Sequence, residues 1–256
     1  MQNQWIVTPF FLDRHSAALE PLAQPGWTLN RPELPASGSP QQRISAYQRP
    51  LADFVARAAA RGDRPVSIAG DCCTAIACLA GLRRAGLDPL LIWLDAHGDF
   101  NTWETSPSGF LGGMPLAMLV GRGEQTLLQA VSLPPLAETQ VVLCDARDLD
   151  PAEKQALDAS QVTHLGEIDA LLDLPRQARS IHLHFDTDIL NPQDAPAMSY
   201  ATPGGPSAAH LSDVFRRLAA AQHIASVSVS TWNPALDVDG HTREVCMDVL
   251  HSLVES

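Results

Sequence analysis

Short apolar runs alternate with stretches of helical periodicity along the chain. The apolar runs predict strands at Trp5–Phe11, Pro65–Gly70, Pro89–Trp93, Val141–Cys144, Ile181–Phe185 and Ile224–Ser230. The helical patterns predict helices at Arg43–Arg61, Cys73–Arg84, Pro115–Val120, Pro151–Ala159, Ser207–Ala221 and His241–Val254. This alternation indicates βαβ units. We therefore expect an α/β protein, a single three-layer αβα sandwich with a mostly parallel sheet that forms one domain over residues 1–256.

The composition restricts the partners of the protein but not its chemistry. The chain has 256 residues, of which 45% are apolar, and its net charge of −12 argues against nucleic acid and anionic membrane surfaces. It has no run long enough for a transmembrane helix and no basic leader at its start. The five cysteines are odd in number and lie largely in apolar stretches, which is typical of reduced thiols. We expect a cytoplasmic protein that binds neither nucleic acid nor membrane.

Polar residues follow the predicted strand Pro89–Trp93 at the point where it ends. Asp95, His97 and Asp99 alternate in sequence, so an extended backbone would aim all three side chains to one side. Open α/β sheets bind their ligands beyond the carboxyl ends of the strands. Two carboxylates and an imidazole that converge there predict a divalent-cation site. The alternative is an ordinary polar loop.

A second strand ends in the same way within the stretch Ser180–Asp188. Asp186 and Asp188 are two positions apart, and His182 and His184 lie on the same strand face. Several buried acids side by side are costly unless cations neutralise them. Together with the first acidic strand end, this pattern predicts a dinuclear metal centre. The alternative is that these aspartates are helix N-caps or turn formers.

Four short motifs occur in a set order between residues 69 and 237. They are Asp95-Ala96-His97-Gly98-Asp99, Arg147-Asp148-Leu149-Asp150-Pro151, Asp186-Thr187-Asp188, and Trp232-Asn233-Pro234 with Asp237. They are similar to the Asp-Ala-His-x-Asp, Arg-Asp-x-Asp-Pro, Asp-x-Asp and Glu-x-Asn-Pro segments of the ureohydrolase (arginase and agmatinase) superfamily. The chain is identified as resembling that superfamily, which implies an arginase-like fold.

The resemblance implies a pair of Mn²⁺ ions bridged by a hydroxide at the strand ends. Asp95 and Asp186 would bridge both ions. Asp99 would complete the ligands of the first ion, and His97 and Asp188 those of the second. The implied function is hydrolysis of a C–N bond in a linear amidine or guanidine-like small molecule, with the metal-bound hydroxide, oriented by Asp188, attacking the amidine carbon. Relatives commonly form homo-oligomers, so an oligomer is expected as well.

One metal-ligand position departs from the family pattern. The family's Gly-Gly-Asp-His-Ser is Ala69-Gly70-Asp71-Cys72-Cys73 here, which puts Cys72 where a histidine ligand belongs. A helix N-terminus and a nearby cation would favour its thiolate. As a ligand, Cys72 would add a negative charge to four carboxylates and shift the preference from Mn²⁺ toward Zn²⁺, Fe²⁺ or Ni²⁺. Certain N-hydroxyarginine hydrolases resemble this chain in having Cys there; the alternative is an inert, unligated cysteine.

The groups that would recognise substrate and move protons also depart from the pattern. The glutamate that clasps a guanidinium falls on Thr231, whose hydroxyl cannot supply the charge, so a neutral or N-hydroxylated amidine is favoured. The arginase histidine that shuttles protons falls on Gly112. His184 is the candidate for a local acid/base or an extra metal ligand, with a hydrogen-bonded core histidine as the alternative. His182 has the same ambiguity.

Part of an amino-acid-binding pattern is retained. Asn101, Ser108 and Asp150 match arginase positions that bind α-amino and α-carboxylate groups, whereas Phe110 stands where arginases have Asn. An active hydrolase is the first interpretation, and a catalytically inactive metal-binding or ligand-sensing relative is the second. A third, deacetylase-type chemistry on an amide, would be favoured by a single ion held mainly by His97, Asp186 and Asp188.

Overall fold

The computed structural model describes residues 1–176, 179–230 and 232–255. In chain order its strands are β1 (Asn3–Thr8), β2 (Phe10–Phe11), β3 (Arg14–His15), β4 (Thr28–Leu29), β5 (Arg64–Ala69), β6 (Leu90–His97), β7 (Val141–Asp148), β8 (Thr163–Leu165), β9 (Ile181–Asp186) and β10 (Ile224–Ser230). Its α-helices are α1 (Pro40–Ala60), α2 (Thr74–Arg84), α3 (Pro115–Leu119), α4 (Thr126–Ala130), α5 (Pro151–Asp158), α6 (Ala208–Ala221) and α7 (His241–Val254). None of these helices combines the length and the apolar character needed to cross a bilayer.

Eight of the strands form one sheet in the order β4-β1-β5-β10-β9-β6-β7-β8, and each neighbouring pair is parallel. The strands β2 and β3 form a separate antiparallel hairpin. Helices α1 and α2 pack together over one cluster of core residues, and α6 and α7 pack together over the other. The two clusters take alternate residues of the same strands, so they lie on opposite faces of the sheet. The predicted α/β sandwich is therefore confirmed.

One face of the central strands carries a buried polar stripe. On β9, Leu183 and Phe185 belong to the core beneath α6, so His182 and His184 point to the opposite face. The parallel register places Ser226 beside His182 and Ser228 beside His184. All four of these polar residues are buried, which is unusual for the middle of an αβα sandwich and locates polar chemistry directly under the carboxyl edge of the sheet.

Several element boundaries differ from those predicted. β6 and β7 extend past their apolar runs, to His97 and Asp148, because the polar residues continue the backbone ladder. The predicted first strand is split after Thr8, since Pro9 has no N–H to donate to the ladder. The short elements β4, β8 and α4 carry too few residues to show a period and were not predicted. All five cysteines are free and buried, as expected for reduced thiols.

Candidate metal centre

Strand order brings the acidic segments together. β5, β10, β9 and β6 are adjacent in the middle of the sheet, and their carboxyl ends share one edge. Cys72 follows β5, Asp186 ends β9, and Asp95 and His97 end β6. Residues far apart in sequence therefore meet at the edge where α/β sheets bind their ligands.

Possible ligand atoms gather in three overlapping groups, within each of which they lie within 4.8 Å of one another. The groups are Asp95 with His97 and Asp188, Cys72 with Asp95 and Asp99, and Cys72 with His184 and Asp186. Asp95 and Cys72 each belong to two of these groups, so the three groups together form one continuous cluster. All six predicted metal ligands lie in it, and His184 joins them. His97, Asp186 and Asp188 do not form a group by themselves, which disfavours the single-ion arrangement of the deacetylase interpretation.

Protein donors orient the carboxylates of the first group. Asp95 accepts hydrogen bonds from the indole nitrogen of Trp93 (3.2 Å) and from the backbone N–H of His97 (2.7 Å). One oxygen of Asp188 accepts from the backbone N–H of Ala96 (3.4 Å), and the other lies 3.2 Å from His97 Nδ1. These bonds fix the carboxylates while leaving lone pairs free, as metal-ligating carboxylates require.

Cys72 is held between β9 and β10. Its Sγ donates to Asp186 Oδ2 (2.8 Å), and Ser230 Oγ donates to the sulfur (2.9 Å). Burial and the charge of Asp186 raise the pKa of the thiol well above its usual range. Without a cation the thiol form is therefore favoured, so the thiolate expected from the helix N-terminus and a nearby cation depends on the cation. A bound divalent cation would reverse that balance.

Crowded carboxyl groups raise one another's pKa. Burial and the charge of Asp188 raise the pKa of Asp186 to about 8. Burial and the charge of Asp95 raise the pKa of Asp188 to about 6. Burial and the charges of Asp95 and Asp186 raise the pKa of Asp99 well above its usual range. Burial lowers the pKa of His97, but hydrogen bonds to Asp188 and Asp95 outweigh it and bring the pKa to about 12. Such a set of acids fits a divalent cation, which would replace the protons.

Asp99 reaches the cluster by a different route from the one predicted. The extended backbone of β6 ends at His97, and Asp99 has a φ of +48°, so the simple alternation of three side chains is wrong at this residue. The backbone turns at Gly98, where it packs so closely against Leu149 that an added Cβ would lie 2.6 Å from Leu149 Cδ2. The carboxylate still approaches Asp95 and Cys72, and its Oδ2 is buried with no hydrogen-bond partner among the described residues. A buried carboxylate oxygen without a partner, on a residue of the cluster, is a further feature that fits a cation.

The two strand histidines differ in their surroundings. His182 has both ring nitrogens in hydrogen bonds, Nδ1 with Ser226 Oγ (2.6 Å) and Nε2 with Ser228 Oγ (3.1 Å). His184 bonds Ser228 through Nδ1 (2.8 Å) and packs against Trp93 with ring centroids 3.9 Å apart and the planes tilted by 34°, but its buried Nε2 has no partner among the described residues. Burial lowers the pKa of both, to about 3 for His182, so both rings are neutral. Of the two, His184 alone has a ring nitrogen in the cluster.

A cavity of about 980 Å³ opens onto the cluster, and the predicted substrate residues Asn101, Ser108 and Asp150 line it. Asn101 donates to Asp150 Oδ2 (3.1 Å) and accepts from Thr105 Oγ1 (2.9 Å). Ser108 Oγ accepts the backbone N–H of Phe110 (3.2 Å). The remaining predicted substrate residue, Thr231, lies outside the described residues.

Three further residues that line the cavity were missed by sequence reasoning, namely Phe11, Arg14 and Tyr200. Phe110 packs between Phe11 and Tyr200, with ring centroids 6.3 and 5.3 Å away. The ring of Phe110 also covers Gly112, where an added Cβ would lie 2.4 Å from Phe110 Cε1. Arg14 is the one lysine or arginine among the described lining residues. No local motif marks these residues; for the deeper Ser228 and Ser230, the alternation of serine with valine along β10 was an available signal.

The fold and the cluster define an α/β protein with oxygen, nitrogen and sulfur donors at the carboxyl edge of a parallel sheet. The family model described as "Arginase family" matches residues 32–255. A curated arginase from Bacillus caldovelox is 35% identical over 223 residues, which cover 82% of this chain and 75% of that protein. The crystal structure of arginase from Bacillus subtilis aligns over 100% of this chain and 99% of that one, with 30% identity and a TM-score of 0.83. The formimidoylglutamase of Bacillus subtilis, 14% identical with a TM-score of 0.72, shares the fold.

This chain belongs to the arginase family. The resemblance to the ureohydrolase superfamily inferred from four motifs is thereby confirmed.

Proposed function

We propose that this protein is a metal-dependent hydrolase of the ureohydrolase type that cleaves a C–N bond in a linear amidine or guanidine-like small molecule. The observation that carries the proposal is the continuous cluster in which Asp95 and Cys72 each belong to two groups of ligand atoms. Shared donors are what a pair of neighbouring ions needs. Membership of the arginase family and the likeness to proteins named arginase support the same reaction class.

The residues that would hold the ions are Cys72, Asp95, His97, Asp99, Asp186 and Asp188. We propose two divalent ions, Mn²⁺ or, because of the Cys72 sulfur, Zn²⁺, Fe²⁺ or Ni²⁺. When bound, such ions supply a nucleophile at neutral pH by lowering the pKa of a water molecule, and they polarise the substrate.

Asp188 is the residue proposed to orient the attacking water and to receive its proton. Its carboxylate is held by the Ala96 N–H and by His97, so it is fixed in direction and borders the cavity. In the reaction, the water oxygen bonds to the amidine carbon, the C–N bond breaks, and the leaving nitrogen takes up the proton that Asp188 received from the water. A proton acceptor placed within the cluster serves the first of these steps.

On the substrate side, Asn101, Ser108 and Asp150 are proposed to bind polar groups of the small molecule. Thr231 supplies no charge for a guanidinium, which favours a neutral or N-hydroxylated amidine. The substitution Thr231→Glu tests this point: kcat/KM should rise for a guanidinium substrate relative to a neutral amidine. An unchanged ratio would contradict the role given to Thr231.

The decisive experiment combines metal analysis with a substrate panel. Protein purified without added metal is analysed for bound elements, then loaded separately with Mn²⁺, Zn²⁺, Fe²⁺ and Ni²⁺. Hydrolysis is measured as urea released from arginine and agmatine, hydroxyurea from N-hydroxyarginine, and formamide or ammonia from a formimidoyl amino acid. Asp95→Asn should lose metal and at least about a hundredfold in activity, because Asp95 is shared between two groups. The exposed Asp213→Asn is the matched control and should behave as wild type.

A catalytically inactive metal-binding or ligand-sensing protein is the second candidate function. The observation that favours it is the ring of Phe110 over Gly112, which fills the space where a proton-shuttling side chain would stand. It predicts that metal is bound stoichiometrically but that no member of the panel is hydrolysed. The expected oligomer and cytoplasmic location stay predictions, which light scattering and cell fractionation test.

A further inference from the structure

We infer that His184 Nε2 is a metal ligand, and that Cys72, His184 and Asp186 form a sulfur–nitrogen–oxygen site that selects softer cations such as Zn²⁺ and Co²⁺ over Mn²⁺. The inference rests on the proposed metal centre, but not on its catalytic activity. It assigns to His184 a ligand role in place of the acid/base role considered from sequence.

The first observation is the unpartnered nitrogen of a wholly buried ring. His184 has no exposed surface, and its Nε2 has no hydrogen-bond partner among the described residues. A ring nitrogen of His184 lies within 4.8 Å of Cys72 Sγ and an Asp186 oxygen, and because Nδ1 is bonded to Ser228, Nε2 is the nitrogen left to bind an ion there. A buried polar atom without a partner calls for an explanation, and a cation between these three atoms supplies one.

His182 provides an internal comparison. It lies two residues earlier on the same face of β9 and is equally buried, yet both of its ring nitrogens are bonded to serines. A histidine that serves packing alone can thus be fully satisfied on this strand face. The bare nitrogen of His184 is therefore specific to the position nearest Cys72 and Asp186.

The hydrogen bonds behind His184 are compatible with the tautomer that a ligand needs. Metal coordination through Nε2 requires the proton on Nδ1, from which it would be donated to Ser228 Oγ at 2.8 Å. Ser228 can then donate its own proton to His182 Nε2 (3.1 Å), and His182 Nδ1 can donate to Ser226 Oγ (2.6 Å). Every bond in this chain has one donor and one acceptor. Metal-ligating histidines are commonly oriented by such a bond on the second nitrogen.

Packing fixes the direction of the ring as well. The indole of Trp93 packs against His184 with ring centroids 3.9 Å apart, and the indole N–H donates to Asp95, so one tryptophan supports two members of the cluster. Ser230 Oγ donates to Cys72 Sγ and holds the sulfur toward the same place. A thiolate and an imidazole together are softer donors than carboxylates alone, and they favour Zn²⁺ and Co²⁺ over Mn²⁺.

The test compares two buried histidine variants of the full-length protein. His184→Ala and the matched control His182→Ala are treated with chelator, and binding of Zn²⁺ and of Mn²⁺ is measured by competition with a chromophoric chelator. His184→Ala should lose at least about tenfold in Zn²⁺ affinity and less in Mn²⁺ affinity, while His182→Ala stays near wild type. In Co²⁺-loaded protein, the ligand-field bands of His184→Ala should change while the sulfur-to-cobalt charge-transfer band persists. Circular dichroism establishes that each variant is folded.

Unchanged Zn²⁺ affinity and an unchanged Co²⁺ spectrum in folded His184→Ala would overturn the inference. Equal losses in the two variants would also overturn it, because they would reflect packing of the strand face. If His184→Ala does not fold, X-ray absorption of Zn²⁺-loaded His97→Asn decides instead. Imidazole scattering should persist there, since His184 is then the imidazole left in the cluster; its disappearance would refute the inference.

These measurements separate the inference from the proposed function. Zinc bound through sulfur and imidazole without amidine hydrolysis would leave the site assignment standing and remove the hydrolase proposal. If the protein hydrolyses an amidine but its His184→Ala variant binds Zn²⁺ normally, the hydrolase proposal stands and the assignment of His184 as a ligand is refuted.

Discussion

Replacing Asp186 with asparagine should stabilise the metal-free protein at alkaline pH. Burial and the charge of Asp188 raise the pKa of Asp186 from 3.8 to about 8. Between these values the folded carboxyl holds a proton that the unfolded chain has lost, so the free energy of unfolding falls as pH rises through this window. The full shift corresponds to about 6 kcal/mol at about 1.4 kcal/mol per pH unit. Asp186 titrates together with Asp188 and its other neighbours, so the substitution should remove only about half of this destabilisation. We therefore expect the variant to be more stable than wild type by roughly 3 kcal/mol at pH 8.

The assay is urea unfolding of wild type and Asp186→Asn, followed by tryptophan fluorescence, at pH 5, 6, 7 and 8 in excess chelator. Wild type should lose stability progressively from pH 5 to pH 8, whereas the slope should be much flatter for the variant. For a chain of this length, a difference of about 3 kcal/mol corresponds to a Tm difference of roughly 6–12 °C. Asp213→Asn, on the exposed face of α6, is the control and should keep the wild-type slope.

Metal should invert the order of the two proteins. Zn²⁺ or Mn²⁺ stabilises the folded state in proportion to its affinity, and Asp186→Asn has lost a donor of the cluster. Wild type should then become the more stable protein at pH 8. A metal-free wild type as stable at pH 8 as at pH 5, or a variant with an unchanged slope, would refute the argument that these carboxylates are crowded together and need a cation.

Two further predictions concern packing around the cavity. Gly112→His should lower the free energy of unfolding by about 1–3 kcal/mol, because the new Cβ would lie 2.4 Å from Phe110 Cε1. The double variant with Phe110→Asn should recover most of this loss in thermal unfolding. An unaltered Tm in the single variant would contradict the contact. Arg147→Lys should lower the free energy of unfolding, measured with urea, by about 2 kcal/mol. The Arg147 guanidinium donates to both the Asp145 carboxylate and the Thr202 carbonyl, and a lysine ammonium cannot reach both. A wild-type midpoint would show that these bonds contribute little.

The fold could be predicted from sequence because each central strand shows its own pattern. Apolar runs of strand length separated by amphipathic helices leave few alternatives to a parallel αβα sandwich. The acidic strand ends were also predictable in position, since Asp95 and Asp186 directly follow such runs. What sequence periodicity could not supply was the path of the chain after a strand ends, which is why Asp99 reaches the cluster through a left-handed turn and not by alternation.

Other features depended on contacts across the sheet. The state of the Cys72 thiol follows from the Asp186 carboxylate 2.8 Å away, and that neighbour comes from a strand more than a hundred residues later. The bare nitrogen of His184 likewise becomes visible only when its neighbours are in place. The aromatic packing of Phe110 against Tyr200 joins two loops, and loops carry no period from which a contact could be inferred.

The position of β10 between β5 and β9 has a consequence for assembly of the protein in the cell. Cys72 and Asp186 are 114 positions apart, and they face each other across the end of a strand that is made later than either. During synthesis, the Cys72 sulfur and the Asp186 carboxylate would therefore not be placed to bind one ion together until β10 has left the ribosome and joined the sheet. The proposed ions would therefore bind only after the sheet that surrounds them has formed.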